Sequence, residues 1–157
     1  PQEELQAKTA RRYPVVEMAP ERVARDKSRG YIYFENENAP LREKHRVVIK
    51  HGLVFTSTGE PQPDTRNRHG DQENYVMDEF GNFYIFDEYT YPLIRHSSIL
   101  AGGPVAGGGE IKIKDGRIIY IDSNSGHYPT APVLPNVIQE LQECGVDVTH
   151  ITERNRR

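Results

Sequence analysis

The sequence predicts a β-rich α+β fold in a single domain, and three observations carry that prediction. Short alternating or β-branched segments recur through the middle of the chain, from Tyr31-Ile32-Tyr33-Phe34 to residues 117–121. Turn signals separate them, most clearly Asp78-Glu79-Phe80-Gly81 and Asp115-Gly116. A sustained helical spacing of apolar residues occurs near the end, at 134, 137, 138 and 141. The chain has 157 residues, of which 36% are hydrophobic, enough for one modest core.

Residues 1–30 form a charged, polar, partly helical segment ahead of a domain at 31–157. A short helix is expected over 3–12. Pro20 opens a second over 21–27, since a first-turn position needs no backbone N–H. Tyr31-Ile32-Tyr33-Phe34 is an aromatic strand ended by polar residues 35–38 and Pro40. Residues 45–50 make a β-branched strand that runs into His51-Gly52-Leu53-Val54-Phe55. Residues 58–70 are a long loop of the kind that is either functional or disordered. Strands at 74–77 and 82–86 flank a turn in which Gly81 supplies positive φ. Further strands are expected at 94–100 and 110–114, the second joined through Asp115-Gly116 to 117–121. A helix over 135–143 is opened by Pro135 and stopped by Gly145.

The net charge of -3 leaves no field of the kind a dedicated nucleic-acid binder carries, although Arg11-Arg12, 66–69 and 154–157 are locally basic. A single Cys144 excludes an intramolecular disulfide and a cysteine-based zinc site. No apolar run approaches the roughly 18 residues of a membrane span, and no signal-peptide pattern opens the chain. Starting at Pro1 without Met, it reads as a fragment or processed C-terminal piece of something larger.

Chemistry-bearing groups concentrate at 94–128, around Gly102-Gly103 and Gly107-Gly108-Gly109. Polar side chains beside permissive backbone usually receive something. On a strand, His96 and Ser98 share one face, and Arg95 and Ser97 the other. His96 would donate to a ligand sugar or phosphate, with Ser98 positioning it. Glu110, at a strand start, could grip a ribose hydroxyl or stabilise developing positive charge. The bland alternatives are a pairing of Glu110 with Lys112 or Lys114 and a satisfied polar network behind the hairpin for His96, His127 and Tyr128. His51-Gly52 closes a strand, where Gly52 would admit a ligand close to the backbone. His69 reads as solvated. Asp78, Glu79, Asp87 and Glu88 lack metal-motif spacing, so no metal is expected. The glycine run lacks the Lys-Ser/Thr of a phosphate-binding loop.

Residues 75–148 resemble the C-terminal toxin modules of polymorphic bacterial toxins, of the Rhs and contact-dependent-inhibition type. The likeness is carried by Tyr75-Val76-Met77-Asp78, Gly81-Asn82, Phe86-Asp87-Glu88-Tyr89, Arg95-His96-Ser97-Ser98, Gly102 through Pro104-Val105, Gly109-Glu110, Asp115-Gly116 and Ser125-Gly126-His127-Tyr128. Arg95-His96-Ser97-Ser98, the following glycines and Ser125-Gly126-His127-Tyr128 also resemble a domain of plant IQ-motif calmodulin-binding proteins.

The toxin resemblance implies an ADP-ribosyltransferase-like split sheet with peripheral helices and an NAD-dependent ADP-ribosyl transfer. Glu110, His96 and His127 would be catalytic. His51, Gly52, Arg95, Ser97, Ser98, Gly102, Gly103 and Tyr128 would hold NAD, and Glu110 would support the cationic ribosyl transition state. It further implies a macromolecular acceptor (protein or RNA), a cognate immunity protein, and a secreted effector delivered into a target cell's cytoplasm. Two alternatives stand beside it. One is a metal-independent ribonuclease with His96 and His127 as general base and acid. The other is a non-catalytic recognition module.

Overall fold

In the computed structural model, which describes residues 5–66, 70–87, 89–125 and 128–154, strands form on the β-branched and aromatic runs. They are β1 (Arg46–Lys50), β2 (Leu53–Thr56), β3 (Glu73–Met77), β4 (Phe83–Phe86), β5 (Gly107–Lys114), β6 (Arg117–Asp122) and β7 (Thr152–Arg154). Among the described residues three α-helices accompany them: α1 (Pro20–Ser28), α2 (His96–Ile99) and α3 (Leu134–Glu143). The strands form one mixed sheet in the order β2-β1-β4-β3-β5-β6-β7, antiparallel except for β6 beside β7. Among the described residues no helix is long and apolar enough to cross a membrane. The β-rich α+β class is therefore the observed one.

The sheet is covered on both sides, so its central strands lack the usual one-sided alternation. All four residues of β4 are buried. Tyr75, Met77, Phe83, Ile85, Ile111 and Ile113 pack toward Val137 and Leu141 of α3. Their neighbours Val76, Tyr84 and Phe86 pack with Ile94, Ile99, Val105 and Tyr128 on the other side.

Hairpins fall where the turn residues demand. Asp115 and Gly116 both take positive φ, 53° and 75°, which matches the twist of β5 and β6. His51 and Gly52 do the same at 53° and 77°, so the strand expected to run on past Lys50 turns back there.

Three expected elements differ. Residues 94–100 are not a strand. The Ser98 hydroxyl accepts the Arg95 N–H at 2.8 Å, and such local side-chain bonds favour the short helix α2. Tyr31-Ile32-Tyr33-Phe34 joins no ladder, although the N–H groups of Ile32 and Phe34 donate to the Leu93 and Ser98 carbonyls. The described part of 3–12 forms no helix.

The cause of that last difference is Glu140. It lies on the sheet-facing side of α3, fully buried, and a buried carboxylate must be compensated. The Tyr13 hydroxyl and the Arg12 guanidinium each donate to Oε1 at 2.6 Å, and Lys8 pairs with Oε2. The Asn82 side chain bonds both the N–H and the carbonyl of Lys8, which fixes the backbone of this N-terminal strap, residues 5–13, as well. Tertiary partners outweigh the helix propensity of residues 3–12, which other than Thr9 are good helix formers.

The glycine run is the start of β5, and its residues are small because the surroundings are full. A Cβ on Gly107 would lie 2.3 Å from Val137 Cγ2 of α3, and one on Gly109 would lie 2.1 Å from the Asp122 carbonyl oxygen. Gly107→Ala is therefore expected to destabilise the fold by about 1–3 kcal/mol through overpacking. Adding Val137→Ala should recover part of the Gly107→Ala loss, giving a favourable coupling in a double-mutant cycle read by urea unfolding. Strictly additive losses would contradict this contact. Gly109→Ala has no such rescue, because it meets backbone.

Candidate functional site

Most of the side chains singled out in the sequence do come together, on the α2 side of the sheet. His96 opens α2 almost fully buried, with its ring edge-on to Phe86 at 5.4 Å between centroids. Its Nε2 lies 2.9 Å from the Gly109 carbonyl oxygen, which makes that nitrogen the donor. Ser97 donates to the buried Asp26 carboxylate of α1 at 3.0 Å, and Ser98 serves the Arg95 N–H already described. The Arg95 guanidinium donates to the Pro92 and Ile94 carbonyls and lies 4.8 Å above the Tyr31 ring.

Gly102 and Gly103 form the turn between α2 and β5. Gly102 donates its N–H to the Ser97 carbonyl, and a Cβ there would meet Val23 and Tyr33 at 3.1–3.2 Å. The Gly103 carbonyl accepts the Tyr128 hydroxyl at 2.8 Å. Burial pushes the Tyr128 hydroxyl well above its ordinary titration range, so it remains a donor. Each group in this cluster is thus occupied by its own backbone or by a neighbouring element.

Glu110 extends from β5 toward the β6 side. Its carboxylate accepts the Gln72 and Asn124 side-chain amides at 2.7 and 2.9 Å. Below it, buried Asp122 accepts the Glu110 and Asn124 N–H groups and the Tyr120 hydroxyl at 2.7–2.9 Å. Lys112, weighed as a partner of Glu110, instead places its ammonium 5.2 Å from the Tyr120 ring. His51 and Gly52 stand apart from all of this. They form the β1–β2 turn near one edge of the sheet, where the Gly52 N–H donates to the Cys144 carbonyl at 2.9 Å. Three strands, β1, β4 and β3, separate that edge from β5. His127 lies outside the described residues, as do Gly126, His69 and Glu88.

Sequence reasoning missed two groups. Glu140 could have been found, because an acid among apolar residues at 134, 137 and 141 lies on the buried stripe of α3. The other is a cavity of about 330 Å³ beside β3 and β4, bordered by His45, Glu73 and Asp87. Burial, followed by the nearby Lys44, lowers His45 below the usual imidazole range and leaves the ring neutral. Burial pushes the Glu73 carboxyl from 4.5 up to about 7, and Asp87 adds to the shift. Residues so far apart in sequence gave no spacing signal.

Residues 41–133 match a protein-family model described as the IQ motif-containing protein middle domain. The chain is also 28% identical over 111 residues to an IQ domain-containing protein, IQM1, of Arabidopsis thaliana. That match covers 70% of this chain and 22% of the relative, so the chain spans about a fifth of the length of the curated relative it matches. No solved structure matches.

These matches bear out the plant IQ-motif resemblance and overturn the toxin one. The ADP-ribosyltransferase, the ribonuclease alternative and the secreted effector are corrected accordingly, and the expected immunity partner goes with them. NAD and the catalytic role of Glu110 enter only through the transferase reading, and the catalytic roles of His96 and His127 only through it or the ribonuclease alternative.

Glu73 generates a pH prediction. Its folded value lies above its unfolded one, so its contribution to stability is fully present below about pH 4.5 and is lost as pH rises through 7. Glu73→Gln should be more stable than the parent at pH 8 by about 1–2 kcal/mol, after discounting for partial exposure, and equal to it at pH 4. Urea unfolding at the two pH values checks this. A difference independent of pH would place the carboxylate in ordinary solvent.

Proposed function

The chain belongs to the IQ motif-containing protein family through its middle domain, and on that premise we propose that it is a non-catalytic recognition module for a macromolecular partner. The observation that carries the reading is the internal engagement of its polar residues. His96, Ser97, Ser98, Arg95 and Tyr128 all bond to the protein itself, which favours a structural role for the cluster over a reactive one.

The exposed surface supports the same reading. Ile32, Tyr89, Tyr91 and Leu93 are 38–47% exposed, which is unusual for apolar groups this close together. The Ile32 N–H donates to the Leu93 carbonyl at 2.8 Å, and the Ile94 N–H to the Tyr91 carbonyl at 3.0 Å, so the four positions are held in one small region. Cations stand over its rings, with Arg95 on Tyr31 and Lys44 at 5.5 Å from Tyr91. An apolar patch with a basic rim suits an acidic protein that presents an apolar groove. A calmodulin-like protein, the partner class implied by the plant resemblance, has that character when calcium opens it.

The test is calorimetric titration of the chain with calcium-loaded calmodulin. Binding should weaken at least tenfold, about 1.4 kcal/mol, on Ile32→Ser with Leu93→Ser. It should be unchanged in Glu110→Gln. Transfer of label from NAD to cell extract, or binding that follows Glu110 rather than the patch, would overturn the proposal.

A further inference from the structure

Serine/threonine kinases that require an arginine three positions before the acceptor recognise its fixed charge and forked donors with acidic groups of their own. Among the serines and threonines of this chain, only Ser28 and Ser98 follow an arginine at that spacing, Arg25 and Arg95. The structure separates the two. Ser98 is wholly buried in α2, with its hydroxyl engaged by the Arg95 N–H. Ser28 is the last residue of α1 and is exposed.

The surroundings of Ser28 suit such an enzyme. Arg25, Lys27 and Arg29 are exposed, whereas Asp26, the one acid among them, is turned inward and held by Ser97. The end of α1 therefore presents positive charge to solvent on both sides of the hydroxyl. A kinase must also straighten the chain at its acceptor. Here the bonds that resist straightening are few. The Ser28 hydroxyl donates to the Arg25 carbonyl at 2.7 Å, and the Arg29 N–H to the Arg25 and Asp26 carbonyls at 3.2 Å. Gly30 follows at φ 78°, with nothing within 4 Å of its Cβ position, so the segment ends on an adaptable, unpacked residue. A helix of 9 residues is marginal by itself, and an exposed helix end opens at low free energy.

We propose that Ser28 is a phosphorylation site for an arginine-directed serine/threonine kinase. The γ-phosphorus of ATP bonds to Ser28 Oγ, and its bond to the β–γ bridging oxygen breaks. ADP leaves, and the hydroxyl proton passes to the kinase's catalytic carboxylate. The product carries a charge of about −1.5 to −2 at pH 7. At the C-terminal end of α1 that charge opposes the helix dipole, and the hydroxyl's bond to the Arg25 carbonyl is lost. Arg25, one turn back, and Arg29 supply guanidinium donors that offset both effects. Ile32 of the apolar patch follows four residues later, so on the recognition reading the added charge opposes an acidic partner there. Acceptance of the phosphate does not rest on that reading.

The test incubates the folded chain with magnesium ATP and the isolated catalytic domain of calmodulin-dependent protein kinase II. That domain acts without calmodulin, so the outcome is separate from whether the chain binds it. Tandem mass spectrometry maps the product. One phosphate is expected, on Ser28, with Ser98 unmodified. Ser28→Ala should remove it. Arg25→Ala should lower kcat/KM by about tenfold or more while circular dichroism shows the fold unchanged, since Arg25 is exposed. No phosphate on Ser28 of the folded chain, modification of Ser98 in its place, or a rate indifferent to Arg25→Ala would overturn the proposal.

Discussion

The constraint on which the rest of the structure depends is the lack of side chains at the start of β5. Helix α3 presses on this strand from one side, and Asp122 of β6 crosses it so closely that its carbonyl oxygen would lie 2.1 Å from a Cβ on Gly109. His96 approaches from the opposite side, with its ring carbon 3.8 Å from the Cβ position of Gly108. Dense interiors leave no slack for an added methyl group at such contacts. The three glycines thus let two layers close on a central strand, and this closeness brings the Gly109 carbonyl within reach of the His96 ring. The same residues in an open loop would line a cleft. Their burial in a strand makes them architecture.

Charge is handled by the same logic of enclosure. The N-terminal strap stays in place because Lys8, Arg12 and Tyr13 together satisfy a carboxylate that α3 carries into the interior. Removing such a partner typically costs 3–5 kcal/mol, because the remaining charge is then buried alone. On the other side Asp26 is buried on α1 and receives Ser97, which ties that helix to α2. Two buried acids on two helices, each compensated from a distant segment, hold the periphery to the sheet.

Much of the fold was legible where local chemistry and tertiary structure agree. Asp115-Gly116 named its hairpin, and the run from Leu134 to Leu141 named α3, with Gly145 at its end in positive φ. The strap was not legible, because its conformation is set by Glu140 well over a hundred residues away. Nor was β7, a three-residue exposed strand with no apolar alternation. Strand-like alternation at 94–100 was misleading, since His96, Ser97, Ser98 and Ile99 are all buried and no regular face remains to read. The grouping of His96, Ser97, Ser98, Gly103 and Tyr128 was visible in sequence. Its role was not, because a satisfied polar network and a reactive one draw on the same residue types.

The central claim is that the polar and glycine-rich centre of this domain is a closed packing layer, so that recognition takes place on the surface. Binding clefts and catalytic loops open locally at low free energy, whereas core strands exchange their amide hydrogens only when the whole fold opens. Native-state hydrogen exchange at Gly108, Gly109, Glu110 and Ile111 measures this directly. The account predicts exchange free energies equal to the global unfolding free energy and a denaturant dependence that matches global unfolding. Exchange through a small local opening, insensitive to denaturant, would contradict it and restore a ligand cleft at β5.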